Sequence, residues 1–361
     1  IMGEVHDGKP VVAFLGLMYP HCPYNVEEPY HSMIDRSKLP KRASIGTNKA
    51  LMQDELRKRM KTSLLSEEDW NEIRATYLGM CAKIDDQFKR LCEGLKANGA
   101  YDDSLIVFLS DHGDFAGDYN LVEKSQNTFE DCLTRVPFLI KPPKGCKVDP
   151  GITSSFVELV DFYTTVMDYA NVESDHDNFG ISVRPIVENR NVENRMFVFS
   201  EGGRMPYEIQ ADEYHGVCGK SGFIPEYSDY WPKQDAQRDA NAHIKGTMIR
   251  NNRFKYIKRA NGADEFYDLE NDPLEEKNEI ANPIYKQDIM EFKFQMLDWY
   301  QKTCDVVPRK LDNRVRYKQV VEMISDFPMQ SQKDIMLQYQ EGLGGLGLNK
   351  LINDERKKIK T

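Results

Sequence analysis

The chain has 361 residues, of which 40% are hydrophobic and 29% charged, a composition typical of a folded globular protein with room for two domains. It has 58 acidic and 48 basic residues and a net charge of −10, which argues against nucleic-acid and anionic-membrane partners. No apolar run approaches the ~20 residues of a membrane-spanning helix, so the sequence predicts neither a nucleic-acid-binding nor a membrane protein.

The cysteines and the first residues bear on where the protein acts. Seven cysteines are scattered along the chain without a CxxC pair, which argues against thiolate zinc sites and slightly favours a reduced, cytoplasmic compartment. The opening residues, IMGEVHDGKP, resemble a helix end followed by the lead-in to a strand. We therefore expect the chain to begin inside a larger protein, and export stays open.

Strand and helix patterns alternate through about residue 200. Apolar runs predict buried strands, and a helix with a capping box at Ser66 lies between the first two. A second helix is predicted over Ser154–Glu173. The predicted strands are Gly8–Met18, Ser104–Ser110, Val136–Ile140 and Met196–Glu201. This alternation predicts an α/β fold with a largely parallel sheet sandwiched by helices.

After residue 200 the pattern changes. Short strands separated by Asn-, Gly- and Pro-containing turns predict a small antiparallel sheet within 246–273, and a helix is predicted from Tyr285 to Cys304. We expect three regions: an α/β part over 1–200, a loop region with the small sheet and its helix over 201–304, and a helical C-terminal extension over 305–361.

Three short motifs carry candidate chemistry. Asp111 and His112 follow a predicted strand directly, where polar side chains of α/β sheets meet ligands. An Asp oxygen and a His nitrogen can bind one divalent cation, although a simple turn is the alternative. His21, between two prolines, can contact an anionic ester or transfer a proton, and Lys124 can neutralise an oxyanion. Taken singly, both also fit ordinary surface residues.

In this order the motifs resemble the sulfatase family of the alkaline-phosphatase-like superfamily, over roughly residues 5 to 300. The segments that carry the resemblance are PHCPY, IDDQFKRL, SDHGDFAGD with Lys124 after it, RVPFLIKPP, VELVDFYTTVMDYA, and RFKYI followed by FYDLENDPLEEKN. The resemblance implies the alkaline-phosphatase-like fold and hydrolysis of a sulfate monoester, with a sulfated carbohydrate as the favoured small-molecule substrate.

The resemblance also implies site roles. Asp111 and His112 would bind a divalent metal, Ca²⁺ rather than Mg²⁺ or Mn²⁺, although many relatives have Asn in the place of His112. His21 would contact the sulfate or the bridging oxygen, and Lys124 would assist departure of the alcohol. Three further residues of the polar loop region are expected to line the alcohol side of the pocket, with an ordinary polar loop as the alternative: His215, Lys220 and Tyr227.

The sequence departs from the family in one large respect. The family's nucleophile is a formylglycine made from Cys or Ser in a C/S-x-P/A-x-R motif, and Cys22, in CPYNV, does not match that motif. Two acidic metal ligands and a Lys and His that follow the nucleophile are also without a match. We therefore expect a missing N-terminal segment of the same protein to supply them, so that this fragment alone is inactive.

Other functions remain open at the sequence level. A degenerate relative that binds sulfated ligands without turnover would show the same motifs. A phosphodiesterase or phosphonate monoester hydrolase of the same superfamily is the second alternative.

Overall fold

The computed structural model describes residues 10–174, 176–211, 231–306, 317–340 and 345–359. The chain forms two compact units. The first comprises Ile1–Glu173 and Asn178–Thr303, and the second comprises Ser174–Asp177 and Cys304–Thr361. None of the helices in these described parts combines the length and apolar character that crossing a membrane requires.

Helices make up most of the regular structure. In the first unit the α-helices are α1 (Tyr30–Met33), α2 (Leu51–Met60), α3 (Glu67–Ala97), α4 (Asp131–Thr134), α5 (Asp161–Ala170), α6 (Arg184–Glu188), α7 (Trp231–Ala236) and α8 (Lys286–Thr303). The second unit contains α9 (Tyr317–Met323), α10 (Met329–Gln340) and α11 (Gly345–Ile359), and its buried side chains include Ile324, Ile335 and Ile352.

Helix α3 confirms the predicted capping box. The Ser66 hydroxyl accepts the Asp69 N–H at 3.2 Å, and the Asp69 carboxylate accepts the Ser66 N–H at 2.8 Å. Two helix-end donors are therefore satisfied before the first turn closes. Trp70, Met80 and Ile84 are buried along one side of the helix, as its apolar periodicity predicts.

The strands lie in two sheets. The first pairs β1 (Ile106–Leu109) with β2 (Phe138–Lys141). The second has the order β3-β4-β5-β6 and is built from Val198–Gly202, Gly246–Arg250, Phe254–Arg259 and Glu265–Asp268. The last three strands confirm the predicted small antiparallel sheet, and α8 packs on it through aromatic contacts such as Phe254 with Phe292.

The pairing directions differ from the prediction of a largely parallel sheet. In the described residues β1 pairs with β2 antiparallel, from Ile106 opposite Lys141. The fourth predicted strand, β3, pairs antiparallel with β4, so it belongs to the small sheet. Apolar runs report that a strand is buried, but they carry no information about its partner or direction, and this is why the prediction was wrong here.

Two further predicted elements differ. The described part of the predicted strand Gly8–Met18 does not form a strand. The side chains of Val12 and Phe14 within it are 88% and 90% exposed. No strand of the described residues pairs with it, so its apolar side chains stay uncovered. The helix predicted over Ser154–Glu173 is confined to α5, because side chains before α5 bond to distant backbone. The Ser155 hydroxyl donates to the Val192 carbonyl, and the Glu158 carboxylate accepts the Phe199 N–H at 2.6 Å.

Hydrogen bonds connect the segment that carries His21 to α3. Arg36 donates to both carboxylate oxygens of Glu72 at 2.9 Å each, and the Tyr30 hydroxyl donates to Asp86 at 3.0 Å. The paired hydrogen bonds from Arg36 lower the pKa of Glu72 to about 2, against the opposing effect of burial. This pairing contributes stability only while the carboxylate is ionised.

We expect Glu72→Gln to lower the free energy of unfolding by about 1 kcal/mol at pH 7, a value reduced for solvent screening because Glu72 is half exposed. A lowered carboxyl pKa gives stability that is complete above the unfolded value and lost as pH falls through the folded value. The difference between wild type and variant should therefore shrink from about pH 4.5 towards pH 2. Urea unfolding at several pH values measures it, with Glu93→Gln, an exposed site on α3, as the control. A constant difference across this range would contradict the assignment.

Candidate active site

His21 and Lys124 meet in the structure. The His21 ring Nδ1 lies 2.7 Å from the carbonyl oxygen of Cys22, and the ring Nε2 lies 2.6 Å from Lys124 Nζ. Because a carbonyl oxygen only accepts hydrogen bonds, Nδ1 carries the hydrogen and donates a hydrogen bond to the Cys22 carbonyl. The Nε2 lone pair is then left to accept a hydrogen bond from the Lys124 ammonium group.

A buried carboxylate lies on the other side of Lys124. Glu123 Oε1 accepts from Lys124 Nζ at 2.9 Å and from Lys233 Nζ at 3.1 Å, and the Glu123 side chain is only 6% exposed. Burial alone would raise the pKa of Glu123. The two ammonium groups outweigh it and lower that pKa, so the carboxylate is ionised at neutral pH.

Asp114 joins the three motif segments. Its Oδ1 accepts the Tyr24 hydroxyl at 2.5 Å and the backbone N–H groups of Ala116 and Glu123 at 2.8 and 3.0 Å. The Tyr24 oxygen also accepts from the Glu123 N–H at 2.8 Å. Burial and the neighbouring Asp114 carboxylate raise the pKa of Tyr24, so its hydroxyl keeps its proton. One oxygen therefore connects the segments that carry His21, Asp111 and Lys124.

The chain after Lys124 is held by the small sheet. Asn127 donates to the carbonyl of Ala242 at 2.8 Å, and Arg259 on β5 donates to the carbonyl of Asn127 at 2.9 Å. Lys255, also on β5, donates to the Phe129 carbonyl at 2.7 Å. These bonds satisfy carbonyl groups of a loop that lacks regular structure, and so they fix its course.

Asp111 and His112 lie just beyond the end of β1. His112 Nε2 is 3.5 Å from Asp111 Oδ2, and the Asp111 side chain is 84% exposed. Gly113 next to them is required by packing, because a Cβ there would lie 1.9 Å from the Cys132 carbonyl oxygen. Donor atoms this close can share one cation, so the pair fits a divalent metal as two of its ligands.

A second group of donor atoms lies close enough together to hold a metal. Among the described residues, His21, Cys22 and Glu123 have ligand atoms within 4.8 Å of one another. The Glu123 carboxylate already bonds to Lys124 and Lys233, and the positive charges of these two ammonium groups disfavour a metal cation at Glu123. We therefore interpret this cluster as an ion-pair network.

The structure thus brings His21 and Lys124 into direct contact, and it links Asp111 and His112 to them through Asp114. The three predicted pocket residues His215, Lys220 and Tyr227 lie outside the described residues. Sequence reasoning missed Glu123 and Tyr24, although both stand next to or within a motif. It also missed Lys233, for which the sequence carries no signal, because only the fold brings it to Glu123.

Comparison with known proteins identifies the fold first. A phosphonate monoester hydrolase of Agrobacterium radiobacter superposes with a TM-score of 0.60 at 24% identity, over 81% of this chain and 56% of that chain. Together with a second phosphonate monoester hydrolase and a putative sulfatase from Bacteroides thetaiotaomicron, this likeness confirms the predicted α/β fold.

The sequence comparisons support the sulfatase family. Residues 2–172 match the family model described as Sulfatase. The multifunctional alkaline phosphatase superfamily protein PehA of Trinickia caryophylli is 27% identical over 315 residues, 83% of this chain and 57% of that protein. The N-acetylglucosamine-6-O-sulfatase of Bacteroides thetaiotaomicron is 29% identical over 236 residues, 64% of this chain and 36% of that protein. The chain therefore spans little more than half of the first relative's length and about a third of the second's.

We expect Tyr24→Phe to lower the free energy of unfolding by about 1–3 kcal/mol, because it removes a donor to the buried Asp114 carboxylate. Tyr30→Phe is the matched control, since its hydroxyl bonds to Asp86 near the surface, and it should cost less. Chemical denaturation of both variants measures the difference. Equal losses would contradict the central place of Asp114.

Proposed function

We propose that this chain is part of a sulfuric ester hydrolase that cleaves a sulfate monoester, with a sulfated carbohydrate as substrate. The observation that carries the proposal is the contact of Lys124 Nζ with His21 Nε2 at 2.6 Å. The Asp111–His112 pair precedes Asp114, which connects both segments, in the same loop. The matches to the sulfatase family and to a sulfatase named for N-acetylglucosamine support it. The nucleophile would be a formylglycine from outside this chain.

Lys124 and His21 act on the negative charge that is present and develops during cleavage. Cleavage keeps negative charge on the sulfuryl oxygens and develops more on the leaving oxygen. The Lys124 ammonium group neutralises a sulfuryl oxygen, which lowers the barrier because the charge is pre-positioned. His21 accepts a hydrogen bond from the Lys124 ammonium group at Nε2 and so orients that group, and Lys124 donates a proton to the leaving oxygen, so the alcohol departs neutral.

Asp111 and His112 would hold a divalent cation, with Ca²⁺ expected ahead of Mg²⁺ and Mn²⁺. When bound, such a cation supplies positive charge to the sulfuryl oxygens. The exposed Asp111 carboxylate is free of a lysine or arginine ion pair among the described residues, so it can bind the cation without first losing such a partner.

Phosphoryl transfer is the second candidate. The relative from Trinickia caryophylli is named as a multifunctional member of the alkaline phosphatase superfamily, and the same constellation of lysine, histidine and cation suits a phosphonate monoester or phosphodiester. Comparing kcat/KM for sulfate monoesters, phosphodiesters and phosphonate monoesters in one preparation separates the two. A preference for either phosphorus ester of more than tenfold would overturn the sulfatase proposal.

We expect His21→Ala and Lys124→Ala each to lower kcat/KM at least about 100-fold, because each removes a group that stabilises the departing charge. The protein expressed from its complete gene is assayed with p-nitrophenyl sulfate. Lys144→Ala, at an exposed lysine after β2, is the control and should retain activity. Full activity of either site variant would contradict the assigned roles.

We expect removal of the cation with a chelator, or Asp111→Asn, to reduce activity strongly, and Ca²⁺ to restore the chelated wild type. Metal analysis by mass spectrometry measures occupancy independently of turnover, and Asp111→Asn should lower it.

Intact-mass analysis of the same protein tests for an aldehyde derived from Cys or Ser. Sulfated-ligand binding with neither turnover nor aldehyde would favour the non-catalytic alternative.

A further inference from the structure

Lys233 is a buried lysine that the reaction described above does not use. Its side chain is 5% exposed, and its Nζ lies 3.1 Å from Glu123 Oε1. Helix α7, which carries it, is docked on α2, where Arg59 donates to Asp235 at 2.7 Å and Ala236 is fully buried among core side chains. Lys233 is therefore held in a fixed position next to the Glu123 carboxylate.

Glu123 occupies a backbone position that normally favours glycine. Its φ is +66°, in the left-handed region that costs free energy for a residue with a Cβ. Its backbone N–H is held by Tyr24 and Asp114 at 2.8 and 3.0 Å. A strained residue whose carboxylate is buried between two lysines is a candidate for a functional role, since glycine would fit this backbone without strain.

We infer, on the basis of the proposed function, that Glu123 and Lys233 are a positioning pair that sets the position and charge of Lys124. Along the network Lys233 is positive, Glu123 negative, Lys124 positive and His21 neutral, so Glu123 offsets part of the positive charge of the two lysines. Glu123 holds Lys124 Nζ beside His21 Nε2. Lys233 shares the same carboxylate oxygen, so Glu123 binds Lys124 less tightly and leaves it able to meet an anion.

This arrangement predicts opposite effects on anion binding. Glu123→Gln removes a negative charge near the site and should tighten binding of inorganic sulfate about three- to tenfold. Lys233→Met removes a positive charge and should weaken it by a similar factor. Both should lower kcat for p-nitrophenyl sulfate, since Lys124 is misplaced in the first variant and held too tightly in the second. The double variant should bind sulfate about as the wild type does.

The experiment uses the protein expressed from its complete gene, with sulfate affinity from titration calorimetry and kcat and KM from ester hydrolysis. Glu123→Gly removes the same charge on a backbone that suits glycine, so it keeps the test valid if the Gln variant folds poorly. It should tighten sulfate binding as Gln does. Lys245→Met is the matched control, because Lys245 pairs with Glu208 at 2.9 Å in an exposed ion pair, and it should change neither measurement.

The possible failures are distinguishable. A wild-type protein that neither binds sulfate nor hydrolyses the ester would overturn the proposed function. A wild type that does both, with Glu123 and Lys233 variants that shift sulfate affinity in the same direction or not at all, would overturn the inference and leave the proposed function standing. Opposite shifts support the inference, because a merely structural role predicts weaker binding for both.

Discussion

The carboxylate oxygen Oδ1 of Asp114 accepts three hydrogen bonds that connect the segments of the candidate site. The donors are the Tyr24 hydroxyl and the backbone N–H groups of Ala116 and Glu123. Burial raises the pKa of Asp114, against the stabilising effect of these donors, so the carboxylate is costly to bury and each donor matters. Segments about a hundred residues apart in sequence are brought into register by this one atom, and the contact between His21 and Lys124 follows from that register.

The small C-terminal sheet stabilises the site from a distance. Lys255 is fully buried and donates to Asp131 and Glu275 at 2.8 and 2.7 Å, while Arg250 also bonds to Asp131. Removing one partner from such a network would leave a buried charge without compensation, which is far more costly than removing a surface pair. The loop that follows Lys124 is therefore fixed by charged groups on β4 and β5, although those strands supply no reacting group.

Local signals predicted local structure well. The capping box at Ser66 and the turns around β5 were readable because their hydrogen bonds join residues that are close in sequence. The apolar run before His21 was misinterpreted as a paired strand, since pairing depends on a partner elsewhere. The pairing directions of β1 and β3 were missed for the same reason.

The site shows the same division. The order of motifs predicted His21 and Lys124 as site residues, and the structure shows their side chains in contact; their roles stay a proposal. Tyr24 and Asp114 lie inside the motifs PHCPY and SDHGDFAGD. Their hydrogen bond joins residues that are 90 positions apart, and no repeating sequence pattern indicates such a contact. Lys233 is beyond sequence reasoning altogether, because a lone lysine in a short helix is in most proteins a solvated residue.

The sign of the charge at the site has a mechanistic consequence. The chain carries a net charge of −10, so an anionic ester is attracted only by a local positive field. Two uncompensated ammonium groups would bind the substrate and the released sulfate equally tightly, and such uniform binding does not accelerate the chemical step. In the proposed mechanism Glu123 offsets part of the positive charge of the two lysines, so that Lys124 would meet the ester beside neutral His21. The Lys124 charge would then act most strongly when negative charge develops on the leaving oxygen.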